Sequence, residues 1–188
     1  MSQIIAFIGK KRSGKDIATN YLCNMYDFVP MKVAQGLKDG VKVMFGLTDD
    51  QIEGSVKEVN DARYGVTPRQ IMQFVGTEMM QYKLQELIPG IGRSFWIRKL
   101  CETIKQKHPN KNIAISDVRF CHEVDELRKE FGTNVLIVRI CRPCIPDNDL
   151  HISEQEYKNI IPDFTIINDS SIEHFHHQLD KILDQINE

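Results

Sequence analysis

Short unbroken apolar runs alternate with longer stretches of helical periodicity along this chain. Ile4–Ile8 is five apolar residues in succession, the pattern of a strand buried on both faces. Residues 112–116 and 134–140 repeat it, the latter rich in β-branched side chains, and Phe164–Ile167 is a fourth run. Residues 27–33 form a weaker fifth, which Pro30 places at an edge or an irregular end.

Between these runs the period changes. Ile97, Leu100, Cys101 and Ile104 recur at helical spacing, as do Val124, Leu127 and Phe131. Ile71, Phe74 and Val75 follow Pro68, a residue suited to a first helical turn. The last pattern sets Ile172, Phe175, Leu179, Ile182, Leu183 and Ile186 on one face, behind Asp169, Ser170 and Ser171 as cap candidates. Strands alternating with helices predict an α/β fold: a five-stranded, mostly parallel sheet flanked by helices, with right-handed crossovers. Residues from about 34 to 107 contain no convincing strand, too long a stretch for one crossover. They are expected to form a helical insertion over the carboxyl edge of the sheet, within one domain of residues 1–188.

Composition narrows the function classes. The 188 residues carry 24 Lys and Arg against 26 Asp and Glu, a formal charge of -2. That balance argues against a nucleic-acid coat and a polybasic membrane protein. No run is long and apolar enough to span a bilayer, and no basic segment precedes the first apolar run, so neither membrane insertion nor a signal peptide is expected. Five cysteines (Cys23, Cys101, Cys121, Cys141, Cys144) are scattered through core-like segments, which suits free thiols in a reducing, cytoplasmic setting.

The chemistry begins where the first run ends. Gly9-Lys10-Lys11-Arg12-Ser13-Gly14-Lys15-Asp16 is G-x-x-x-x-G-K between a strand and a helix. The glycines permit the tight turning that converges backbone N–H groups on a phosphate at a helix N-terminus. Gly9, Lys11, Arg12, Ser13, Gly14, Lys15 and Asp16 are therefore the expected nucleotide-binding set, with Lys15 reaching the β- and γ-phosphates. Asp16 stands where such loops usually place Ser or Thr for Mg²⁺. It either serves the metal, directly or through water, or caps the helix. Neither Asn-Lys-x-Asp nor an Asp-x-x-Gly after an apolar strand is present, so a GTPase lacks its parts. A small-molecule kinase fits the length.

Asp117 ends the second buried run, where a carboxylate would orient Mg²⁺ or its waters. Arg119, two residues on, either binds a phosphate bidentately or helps cap the next helix. Lys38 and Arg69 are further phosphate-seeking cations in the insertion. Cys141 and Cys144 form C-x-x-C, but a zinc site needs two more ligands, and prolines follow where a redox motif places a helix. Asp147, Asp149, His151 and Glu154 suit either a metal cluster or a polar turn. His174, His176 and His177 are expected on the surface of the last helix.

The loop at 9–16, Leu37-Lys38, the block from Thr67-Pro68-Arg69 to Gly76-Thr77-Glu78, Ser116-Asp117-Val118-Arg119-Phe120 with Glu123, residues 139–143, 151–154 and 167–169 occur in a recognisable order. In that order they resemble the deoxynucleoside monophosphate kinases of tailed phages and large DNA viruses, over nearly the whole chain. Asp after the loop lysine is usual there. Animal phosphomevalonate kinases look similar around the loop, the Leu-Lys segment and the Asp-x-Arg strand, but the Thr-Pro-Arg block favours the nucleotide kinases. The resemblance implies a P-loop NTPase fold and transfer from ATP, with Mg²⁺, to a deoxynucleoside monophosphate (dNMP). By that analogy Lys38, Arg69 and Arg119 bind the acceptor phosphate, and Trp96 shapes the nucleoside pocket or packs in the insertion's core. Lys15, Asp117, Arg139 and Arg142 serve the transfer, with Asp16 and Asp117 toward the metal. Residues from about 141 to 153 resemble a short lid, with Arg139 and Arg142 aimed at the ATP phosphates, or form an ordinary strand-to-helix connection whose arginines are solvated. The alternatives are a kinase of another small phosphate ester, such as phosphomevalonate, and a non-catalytic nucleotide-binding protein. The resemblance implies no nucleic-acid or membrane partner, leaves a homodimer open, and places the protein in the host cytoplasm if a virus encodes it.

Overall fold

The computed structural model describes residues 2–145 and 150–187. Two compact units are distinguishable, one made of Met1–Lys32 with Leu100–Glu188 and the other of Val33–Lys99.

The first unit is built on a parallel sheet of five strands: β1 (Ile4–Ile8), β2 (Val29–Met31), β3 (Ile113–Ile115), β4 (Val135–Cys141) and β5 (Phe164–Ile167). Their order is β2-β3-β1-β4-β5. β1 lies between β3 and β4, pairing Ile4 with Ile113 and with Val135, so both its edges and both its faces are covered. All five of its residues are buried, which is why the run is uninterrupted by polar residues. β2 is an edge, where the missing N–H of Pro30 removes little from the ladder.

Helix α1 (Lys15–Tyr26) follows β1, and the chain passes over β3 to reach β2. The chain leaving β3 runs the other way, through α7 (Cys121–Phe131), to β4. The carboxyl ends of β1 and β3 therefore flank the switch point of the sheet, the place where open α/β sheets bind ligands. One face of the sheet (Ile5, Phe7, Ala114, Val138, Ile140 and Ile166) packs against Ala18 and Leu22 of α1 and against Phe175, Leu179, Ile182 and Leu183 of α8 (Ile172–Asn187). Ser171 caps α8 by accepting from His174 N at 3.2 Å, while Ile172 lies outside the buried stripe and is exposed. His174 and His177 are exposed, but His176 is half-buried and stacks on Tyr21, ring centroids 3.9 Å apart.

The second unit is helical. It contains α2 (Gln35–Phe45), α3 (Asp49–Glu53), α4 (Pro68–Gln73), a π-wound continuation over Phe74–Lys83, a short α5 (Leu84–Leu87) and the first turns of α6 (Phe95–Lys107). Pro68 occupies the first turn of α4, and Thr67 and Gln70 exchange the reciprocal bonds of a capping box. Val41, Leu47, Ile52, Ile71, Met72 and Val75 form its core.

Candidate active site

The loop after β1 takes a conformation that most residues avoid. Gly9, Arg12 and Gly14 have φ of 140°, 66° and 115°. A Cβ at Gly9 would lie 2.4 Å from the Ile140 carbonyl oxygen in β4, so glycine is required there by space as well as by φ. Lys15, the first residue of α1, folds its ammonium back across the loop and donates to Gly9 O at 2.8 Å and Lys10 O at 2.6 Å. Ser13 N donates to Lys10 O at 3.2 Å, closing the turn. Lys10 Nζ reaches Ile145 O at 3.3 Å, tying the loop to the turn beyond β4.

Around Lys15 the tertiary structure gathers four charges from three segments. Burial, with the Arg119 cation second, pulls its pKa from 10.5 down to about 8. The carboxylates of Glu154, Asp16 and Asp117 oppose that shift. Asp117 and Arg119 leave the carboxyl end of β3 in a turn fixed from behind by Glu123. This fully buried carboxyl accepts from Arg119 N at 2.7 Å and Phe120 N at 3.1 Å, satisfying two donors at the N-terminus of α7. The Arg119 guanidinium pairs with Glu154 and lies 3.4 Å from Ser153 O. Glu154 is 8% exposed against 35% for Arg119, so the pair is sheltered on the carboxylate side.

Arg142 is exposed just past β4. Arg139, in β4, reaches the segment before β5. Its guanidinium donates to the backbone carbonyls of Tyr157, Lys158 and Ile160, bracing the segment before β5. The strand places it on the face opposite Val138 and Ile140, and all three of these bonds come from Nη2. Asp147 and Asp149 lie outside the described residues, and among the described ones no group of three or more His, Cys, Asp or Glu is placed to hold a metal. His151 caps the Ile152–Glu154 turn by accepting from Ser153 N at 3.2 Å. Cys141 is half-buried and Cys144 exposed, both as free thiols.

In the helical unit, Lys38 pairs with Glu53 at 2.6 Å, and Arg69 stands 3.7 Å from Glu58. Both cations are nearly buried, at 12% and 11% exposure, and each partner is about half exposed. Trp96 donates its indole N–H to Gly76 O at 3.1 Å, and a Cβ on Gly36 would touch its ring at 3.4 Å. It is thus part of the unit's own packing.

The sequence profile of the deoxynucleotide monophosphate kinases matches residues 47–179. A protein of Acanthamoeba polyphaga mimivirus, assigned by name to those kinases, is 35% identical over 188 residues, 96% of this chain and 96% of its own length. The chain belongs to the deoxynucleotide monophosphate kinase family. Solved structures give the same fold at low identity. An APS kinase from Mycobacterium tuberculosis, in complex with AMPPNP and APS, superposes with a TM-score of 0.50 at 10% identity, over 100% of this chain and 98% of its own. A sugar kinase from Janibacter, solved unliganded, gives 0.50 at 13% identity, over 98% of this chain and 95% of its own.

Two residues of this deoxynucleotide monophosphate kinase escape a reading by residue type alone. Glu123 looks like one more helix-face acid, although its place three residues after Phe120 is the capping-box spacing and could have marked it. Glu154 reads equally as a metal ligand or a turn residue, and no local signal shows that it faces Arg119, 35 residues away.

Proposed function

We propose that this kinase transfers the γ-phosphoryl group of ATP to a dNMP, giving the diphosphate and ADP, with Mg²⁺ on the donor phosphates. The observation that carries this reading is the convergence of Lys15, Asp16, Asp117 and Arg119 at the carboxyl ends of β1 and β3, close enough for their charges to move the Lys15 pKa. Two carboxylates without a closed cage suit Mg²⁺, which keeps several waters and takes further oxygens from phosphate. Held there by Asp16 and Asp117, directly or through water, the ion would supply positive charge to neutralise what develops on the phosphates.

The chain's own residues do the rest. Loop N–H groups hold the β-phosphate, and Lys15 adds a positive charge toward the γ-phosphate. Asp16 and Asp117 are the carboxylates available to the metal. Arg119 offers a planar guanidinium to an acceptor phosphate in exchange for Glu154, an anion-for-anion replacement that leaves the cation paired throughout. Lys38 and Arg69 have the same form, nearly buried cations held by half-exposed carboxylates that a phosphate can displace. Arg142 is exposed, as suits a cation serving a transient charge. No protein nucleophile is invoked, because phosphoryl transfer depends on positioning and charge. ATP and dNMPs meet in the cytoplasm, the host's if a virus encodes the chain, and the reaction is placed there.

A coupled ADP-release assay across the four dNMPs, the corresponding ribonucleotides and phosphomevalonate tests the reading. ADP release dependent on at least one dNMP is expected. Turnover with phosphomevalonate alone, or ATP binding without turnover on any acceptor, would overturn it.

A further inference from the structure

We propose that Asn168, at the end of β5, is a positioning residue for the donor nucleotide: it fixes the direction of a phosphate-binding N–H in the loop. Its side-chain amide donates to Ser13 O at 2.8 Å, across 155 residues of sequence. Its own backbone is set by the sheet, since Asn168 N donates to Cys141 O at 2.7 Å, extending the β4–β5 ladder one residue past the Cys141–Ile167 pair. The amide is therefore presented from a rigid strand end rather than from a floppy loop.

What it grips matters more than that it grips. The Ser13–Gly14 peptide is planar and trans, so its C=O and N–H point in opposite directions. Holding Ser13 O toward Asn168 turns the Gly14 N–H away from it, toward the concave side of the loop, where successive N–H groups form an anion-binding nest. Gly14 has φ of 115°, and a Cβ there would stand 2.7 Å from Asn168 Nδ2. The missing side chain at Gly14 and the amide at Asn168 are two halves of one contact. The loop needs such an external hold. Three positive φ values within six residues are unfavourable for a free chain, and one of them falls on a non-glycine, Arg12. The internal hold comes from Lys15, bonded to Gly9 O and Lys10 O, and that ammonium is also the group the phosphates attract. Asn168 bonds the loop without competing for phosphate.

The inference rests on nucleotide phosphates docking on the loop, whichever acceptor is phosphorylated. Binding of a fluorescent ATP analogue and of ADP to Asn168→Ala, Asn168→Ser and Asn168→Asp, with KM for ATP and for the dNMP measured separately, tests it. Loss of one neutral hydrogen bond predicts about five- to tenfold weaker binding of both nucleotides by the Ala and Ser variants, with the dNMP KM within about twofold of wild type. Asn168→Asp, which places an acceptor against an acceptor, should bind worse than Ala. A purely structural residue would lower the melting temperature and shift both KM values together. That pattern, unchanged nucleotide binding in the Ala and Ser variants, or an Asp variant binding as well as wild type would each overturn the assignment.

Discussion

Glu123 makes the stability of this kinase depend on pH near neutrality. The carboxyl is fully buried, and desolvation, with a smaller push from Asp117, raises its pKa from 4.5 to about 7 despite two backbone donors. An acid whose folded pKa is raised contributes stability that is whole below its unfolded pKa and is lost as pH rises through the folded one. The window here runs from about pH 4.5 to about pH 7. A shift of this size corresponds to about 3 kcal/mol, a substantial part of the roughly 5–15 kcal/mol that holds a domain together. Glu123→Gln keeps a carbonyl oxygen for Arg119 N and Phe120 N but cannot ionise. Urea unfolding of both proteins from pH 4.5 to 8.5 isolates the effect, because every other titrating group cancels in the difference. Wild type should lose about 3 kcal/mol relative to Glu123→Gln across that range, most of it between pH 5 and 7.5. A stability difference independent of pH would refute the reasoning. It would mean that the two backbone bonds outweigh burial and keep the carboxylate ionised throughout.

Other expectations follow from single contacts. Lys15 must be charged to meet phosphate, and its pKa of about 8 predicts ATP affinity about tenfold lower at pH 9 than at pH 7; titration calorimetry showing flat affinity to pH 9.5 would contradict it. Gly9→Ala combines a disallowed φ with a 2.4 Å approach to Ile140 O, so it should cost about 2–5 kcal/mol and abolish nucleotide binding; a melting temperature within 2 °C of wild type, by a fluorescence melt, would show that the loop can yield. Changing Cys141 and Cys144 together to Ser should leave kcat nearly unchanged, whereas Arg142→Ala should lower it about tenfold or more; the reverse order in steady-state assays would move the chemistry to the thiols.

Much of this protein is legible locally. The runs 4–8, 112–116, 134–140 and 164–167 contain strands: β1 and β3 are apolar throughout because both their faces are buried, while β4 and β5 keep apolar residues at their buried positions. Pro68 starts a helix because its fixed φ and missing N–H suit a first turn, and the loop at 9–16 announces phosphate binding because only glycine tolerates its φ at both ends. Charge and function diverge at the arginines. Arg119, Arg139 and Arg142 are equivalent as residue types, yet one pairs with Glu154, one braces three carbonyls and one is left exposed. A long side chain is directed by partners that sequence distance conceals. The same holds for Glu123, whose pKa is raised chiefly by burial, and for Asn168, which meets Ser13 only because β5 ends beside β4 and brings residue 168 to the loop that follows β1. Secondary structure and the phosphate loop are written in spacing and residue type, because they depend on steric limits that act over a few residues. Which charges face one another is decided when the sheet closes, because hydrogen bonds and desolvation act through space and not along the chain.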